Sequence, residues 1–170
     1  MRIFGGCLGE PPVTSNPERG RPIPLAVAFL ATVAFLAGRP AAAALGDDLV
    51  SVQADQLRMD GTLRTSVMPG YLVHEIQAST GTLVRELSTP AGTVFGVSWE
   101  GPFLPDLRGL LGSSFEAYAQ AARAARHGRG PLQLHMKGLV FESAGHPRGF
   151  RGRAYIPELV PEGVPAEAIR

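Results

Sequence analysis

The chain has 170 residues, 45% of them hydrophobic and 18% charged, and carries a formal net charge of +1. That length suits one ordinary domain with a short appendage, and the composition is that of a globular chain, not a disordered one. The charge balance gives no global reason to expect nucleic acid as a partner, and the lone cysteine, Cys7, excludes an internal disulfide or a CxxC metal or redox site.

Residues 1–44 read as an N-terminal extension and signal peptide. Arg19 and Arg21 precede an uncharged apolar run over residues 25–37, and four alanines at 41–44 offer small-x-small cleavage choices. Residues 1–18, rich in Gly and Pro, make an unusually long lead-in. The apolar run has 13 residues. A spanning helix needs about 20, so no stable transmembrane anchor is expected. Cleavage just before Leu45 would remove Cys7 and leave residues 45–170 as a single cysteine-free domain, periplasmic or secreted, whose stability comes from its core.

Residues 49–59 suit a short helix, capped by Ser51 and ended by Asp60 and Gly61. From Thr62 the apolar period becomes two. "TLRTSV", "YLVHEIQ", "TLVRELS" and "TVFGVSW" are strands, joined by links short enough to require antiparallel neighbours. A loop over residues 78–81 would place His74 opposite Arg85 and Ile76 opposite Leu83. A type I turn at "TPAG", with Gly92 left-handed, would place Arg85 opposite Val97 and Leu83 opposite Trp99. In that register His74 and Arg85 share the helix-facing side, where Arg85 needs an acid such as Glu116 or Asp106. Trp99 and Phe95 would then be buried against the helix.

Pro105 and Asp106 open a helical turn, and Ser113 and Glu116 have the spacing of a capping box for a helix over about 113–127 that carries Phe115 and Tyr118 on one stripe. "LQLHMKGLVFES" and "FRGRAYI" supply two more strands, and from about residue 157 a tail with three prolines reads as irregular. The fold expected is α+β: an antiparallel β-meander of about six strands packed on one principal helix.

"SVQADQLRMDGTLR", "GYLVHEIQ", "GTLVREL", "PAGTVFGVSWEGPFLPDLRGLLG" and "FRGRAYIPELVP" resemble the bacterial secreted proteins of domain of unknown function 2844, over about residues 45–165. The resemblance implies export from a Gram-negative bacterium. It implies no activity, cofactor or catalytic residue.

The chain lacks GxSxG, GxGxxG and GxxxxGK[ST] motifs, and its four histidines lack the spacing of a helical zinc motif, so no catalytic, metal or cofactor assignment follows. Polarity does mark a few positions. Residues 123–153 carry seven basic residues against Glu142 alone, while residues 45–122 are net acidic. Arg151 and Arg153 share a sheet face, and Arg148 sits at the turn before them. Such a cluster suits an anionic ligand or an acidic protein partner. His74, Arg85, Arg148, Arg151 and Arg153 are therefore the expected ligand-binding residues of a non-catalytic exported binding module. The competing expectation is a small periplasmic enzyme, whose His74, Arg85, Glu142 and His146 would have to converge in one pocket.

Overall fold

The computed structural model describes residues 45–125 and 130–170. Residues 1–44, which hold the expected signal peptide, lie outside the described residues, as do Arg126, His127 and Arg129. Helix α1 (Leu49–Arg58) precedes strands β1 (Thr62–Met68), β2 (Tyr71–Gln77), β3 (Leu83–Ser88) and β4 (Val94–Gly101). Helices α2 (Leu107–Leu111) and α3 (Phe115–Ala125) follow, then β5 (Leu132–Met136), β6 (Leu139–His146) and β7 (Gly149–Tyr155). The cap of α1 is Asp48, not Ser51: the Asp48 side chain accepts from Val50 N at 3.0 Å, while Ser51 is buried and donates its hydroxyl to the Asp48 main-chain oxygen. The left-handed φ of Asp60, 46°, ends the helix.

All seven strands form one antiparallel sheet in the order β1-β2-β3-β4-β7-β6-β5. Two meanders meet where β4 pairs with β7, and the helical stretch carries the chain from β4 to the edge strand β5. The strand count exceeds expectation by one because residues 132–143 break at Lys137 and Gly138. Gly138 adopts φ 77°, and Met136 lies opposite Leu139, so a two-residue hairpin forms where one long strand was expected. The helix also begins early. Asp106 caps α2 by accepting from Arg108 N at 3.1 Å, and a 3-10 turn at Gly112–Ser114 leads straight into α3. Ser113 is thus inside the helical stretch, and Glu116 turns to Arg108 at 3.0 Å instead of closing a capping box.

The register of the first hairpins differs from expectation by one residue, with large consequences. Gly81 takes φ 89°, and Ala78 N donates to Thr82 O at 2.9 Å, so the loop spans residues 79–81. His74 then pairs with Glu86, and Arg85 with Glu75. A one-residue slip moves every side chain of a strand to the other face. Arg85 therefore leaves the helix-facing side, and Val84 and Glu86 enter it. The second loop forms as expected, with Thr89 N donating to Thr93 O and Gly92 at φ 96°. A bulge then shifts the pairing, so that Leu87 faces Gly96, Arg85 faces Ser98 and Val84 faces Trp99.

Helices cover one face of the sheet. Ile76, Val84, Val97, Trp99, Phe141 and Ala154 are buried there, beneath Leu110, Leu111 and the half-buried Phe115 and Tyr118. The rings of Tyr118 and Phe141 lie 4.3 Å apart, and those of Trp99 and Phe141 5.6 Å. Gly152 is required beneath the indole, since a Cβ there would fall 2.4 Å from Trp99 Cζ2. Phe95, expected beside Trp99, is instead buried on the opposite face with Leu87 and Ile169, because it is the extra residue of the bulge, which breaks its alternation with Val97 and Trp99. The tail is more ordered than its prolines suggest. It forms 3-10 turns at Pro157–Leu159 and Ala166–Ala168 and crosses this second face, where Ile169 is fully buried.

Candidate functional site

Two polar assemblies occupy opposite faces of the sheet. Beneath α1, Asp55 and Glu86 are both fully buried. Burial, the neighbouring Asp55 charge and a hydrogen bond to Asp55 push the Glu86 carboxyl up to about 9, against the opposing pull of Arg58. Glu86 thus keeps its proton at neutral pH and shares it with Asp55, whose charge is met by Arg58. Arg58 also reaches Asp106 at 3.6 Å, tying α1 to the cap of α2. His74 lies across from Glu86, buried, with Nδ1 3.0 Å from Thr65 Oγ1 and Nε2 2.9 Å from Ser88 Oγ. Burial holds its imidazole below the usual histidine range, so it is a neutral bridge between two hydroxyls. Ser88 is fully buried and His74 only 5% exposed, so the assembly is closed to solvent in its present packing.

The second assembly is a polar row on the opposite face. Register places Glu75, Arg85, Ser98, Arg153, Glu142 and Gln133 side by side across β2, β3, β4, β7, β6 and β5. The row is nearly symmetric about Ser98. Arg85 Nε donates to Glu75 at 2.9 Å, and Arg153 Nε donates to Glu142 at 2.9 Å. Each guanidinium also donates from Nη1 to the tail's main chain: Arg85 to Arg170 O at 3.2 Å, and Arg153 to Ala166 O at 2.8 Å. The hydrogen bond from Arg153 holds the Glu142 carboxyl below its usual range, with a smaller contribution from His135 at 3.8 Å.

The five expected ligand-binding residues do not converge on one site, although Arg151 and Arg153 share a face as expected and both line a groove of about 490 Å³. His74 is on the helix side. Arg85 and Arg153 are engaged in ion pairs, Arg85 with Glu75 and not with Glu116 or Asp106. Arg148 and Arg151 line one groove of about 560 Å³ with Glu100, Pro102, His146 and Phe150. The pocket expected of an enzyme does not assemble: His74 lies on the other face from Arg85 and Glu142, and His146 bonds locally to Pro147 O at 3.0 Å. Among the described residues no group of three or more His, Cys, Asp or Glu is placed to hold a metal ion.

Sequence reasoning missed Asp55, Glu86, Ser98 and Ile169. The signal for Glu86 and Ser98 was the glycine at 81, which has the same place in its loop as Gly92. Reading both loops alike would have turned Glu86 inward. No local signal marked Ile169.

No curated protein and no solved structure matches the chain. A family does: over residues 41–169, which include every strand and helix described above, the chain belongs to the family described as protein of unknown function, DUF2844.

Proposed function

We propose that the chain is an exported, non-catalytic binding module of the bacterial periplasm, and that the groove between Arg148 and Arg151 takes an anionic ligand. One observation carries the ligand reading. Among the described residues Arg148 and Arg151 line the same groove without a carboxylate within 4.0 Å, whereas Arg85 and Arg153 are each neutralised by a glutamate. Glu100 shares the groove and lies opposite Arg151 in register, so two guanidinium charges face one carboxylate. Arg148 adopts φ 70°, a conformation that holds its side chain at the tip of the β6–β7 hairpin. Phe150 and Pro102 add apolar walls, which suits an anion carried on a larger body such as an acidic glycan or a lipid headgroup.

Export rests on the order of charged, apolar and small residues before Leu45, and the family match begins at residue 41, close to the proposed cleavage point. No helix among the described residues is long and apolar enough to cross a membrane. Two measurements test the proposal. N-terminal sequencing of protein from the periplasmic fraction should start near Leu45, and recovery of the intact chain from the cytoplasm alone would overturn export. Titration calorimetry with a polyuronate oligosaccharide and with inorganic pyrophosphate should give saturable binding to at least one, abolished in R148E/R151E. Binding to neither, or equal binding to the double variant, would overturn the anion site.

A further inference from the structure

The tail that crosses the polar row is held in the manner of a bound peptide. Among residues 165–170, Ile169 is the one buried side chain, and it packs with Leu87 and Phe95 over the bare backbone of Gly96, where a Cβ would fall 3.0 Å from Ile169 Cδ1. Among the described residues, both hydrogen bonds from the sheet to this stretch go to main-chain oxygens, from Arg153 to Ala166 and from Arg85 to Arg170. Such contacts read a peptide backbone and not its sequence. Each guanidinium is fixed beforehand by its own glutamate, so the two donors stand ready on either side of the Ile169 seat.

The trough is also larger than its occupant. The tail leaves a groove of about 490 Å³ on the Arg153 side and one of about 800 Å³ on the Arg85 side, both bordered by Arg170. Beneath it, midway between the two arginines in register, the Ser98 hydroxyl is buried with no hydrogen-bond partner among the described residues. A buried hydroxyl left unsatisfied is one that a differently seated peptide could engage. The approach to the segment turns at Gly163, φ 82°, between Pro161 and Pro165.

We infer that the Arg85–Ser98–Arg153 trough is a peptide-binding site, that residues 165–170 occupy it as a built-in competitor, and that its partner is a short peptide that turns as Ala166–Ala168 does and carries one branched aliphatic anchor. An acidic residue two positions before that anchor, as Glu167 stands to Ile169, fits the exposed rim of the Arg85-side groove. Arg151 borders the Arg153-side groove as well as the one it shares with Arg148, but it takes no part in the Ile169 seat or in the two main-chain hydrogen bonds, so the inference does not depend on the anion reading.

The logic is competitive. While the tail is seated only the open fraction of molecules can bind a peptide, so the apparent affinity falls by that fraction. Removing the anchor should restore it. The probe is a fluorescein-labelled peptide of residues 164–170, titrated by fluorescence anisotropy into the full chain and into its I169A variant. The peptide should bind I169A at least tenfold more tightly than the unaltered chain. A peptide carrying Ile169→Asp should bind I169A at least tenfold more weakly than the native peptide. Equal affinity for both proteins, or for both peptides, would overturn the proposal. Should I169A fail to fold, nuclear magnetic resonance on the unaltered chain decides. Saturable shifts of the Gly96 and Ser98 amides at millimolar peptide support the site, and their absence overturns it. Light scattering closes the remaining route: a dimer of the unaltered chain that dissociates on Ile169→Ala would make a second copy the occupant and refute the separate partner.

Discussion

The Glu86 carboxyl makes stability depend on pH in a direction opposite to that of an ordinary surface acid. It is fully buried on the helix side, faces Asp55 and Arg58 from α1 and His74 from β2, and its pKa rises from 4.5 to about 9. Between those values the folded chain holds a proton that the unfolded chain has lost. Unfolding then releases a proton, so stability falls as pH rises through the window and levels off above about 9. One such proton corresponds to at most ~1.4 kcal/mol per pH unit, or roughly 3 kcal/mol between pH 7 and 9. His74, whose folded pKa is depressed, acts only below its ordinary value of 6.5, where stability falls as pH falls. The interval from 7 to 9 therefore separates the proton shared by Glu86 and Asp55 from the titration of His74. Glu86→Gln retains the shape and a hydrogen-bond donor for Asp55 but has no proton to release. Urea unfolding followed by Trp99 fluorescence should show the unaltered chain losing stability steadily from pH 7 to 9, and Glu86→Gln should be nearly flat and the more stable of the two at pH 9. The reasoning fails if the unaltered chain is equally stable at both ends of the interval, or if Glu86→Gln keeps the same slope.

Two further substitutions probe the two faces. Phe141→Ala removes a fully buried ring from between Trp99 and Tyr118 and should cost about 3–5 kcal/mol by urea unfolding; a loss below about 1 kcal/mol would mean that α3 does not close over the sheet there. Arg85→Met breaks a pair whose side chains are 27% and 32% exposed, so solvent screening should limit the loss to about 1 kcal/mol or less, and a loss near 3 kcal/mol would show that Glu75 is left buried and uncompensated.

The histidine and arginine of "YLVHEIQASTGTLVREL" look alike in sequence, two polar residues in an apolar row, yet they solve different problems. His74 is neutral and needs only two hydroxyls, which Thr65 and Ser88 supply from the adjacent strands. Arg85 cannot give up its charge, and the register that seats it opposite Glu75 is also the one that admits the protonatable Glu86 in its place. A carboxyl can be buried by taking a proton, whereas a guanidinium cannot.

The sequence by itself determined the features that depend on neighbours along the chain. Period-two alternation marked the strands, Pro and Gly marked the turns, and the Asp106 region marked the start of a helix, so the α+β class and the antiparallel connections were legible. Tertiary structure decided which face each strand presents. One glycine at a turn sets that choice for a whole strand, and the energy that selects it comes from distant groups: α1 covering Glu86 with Asp55, and Ile169 covering Gly96. Because helices and tail together bury both faces of the sheet, β3 and β4 are almost wholly enclosed, and their own pattern of apolar and polar residues could not say which side was in. The polar row that gives the second face its chemistry draws one residue from each of six strands, and only the paired sheet brings them into line.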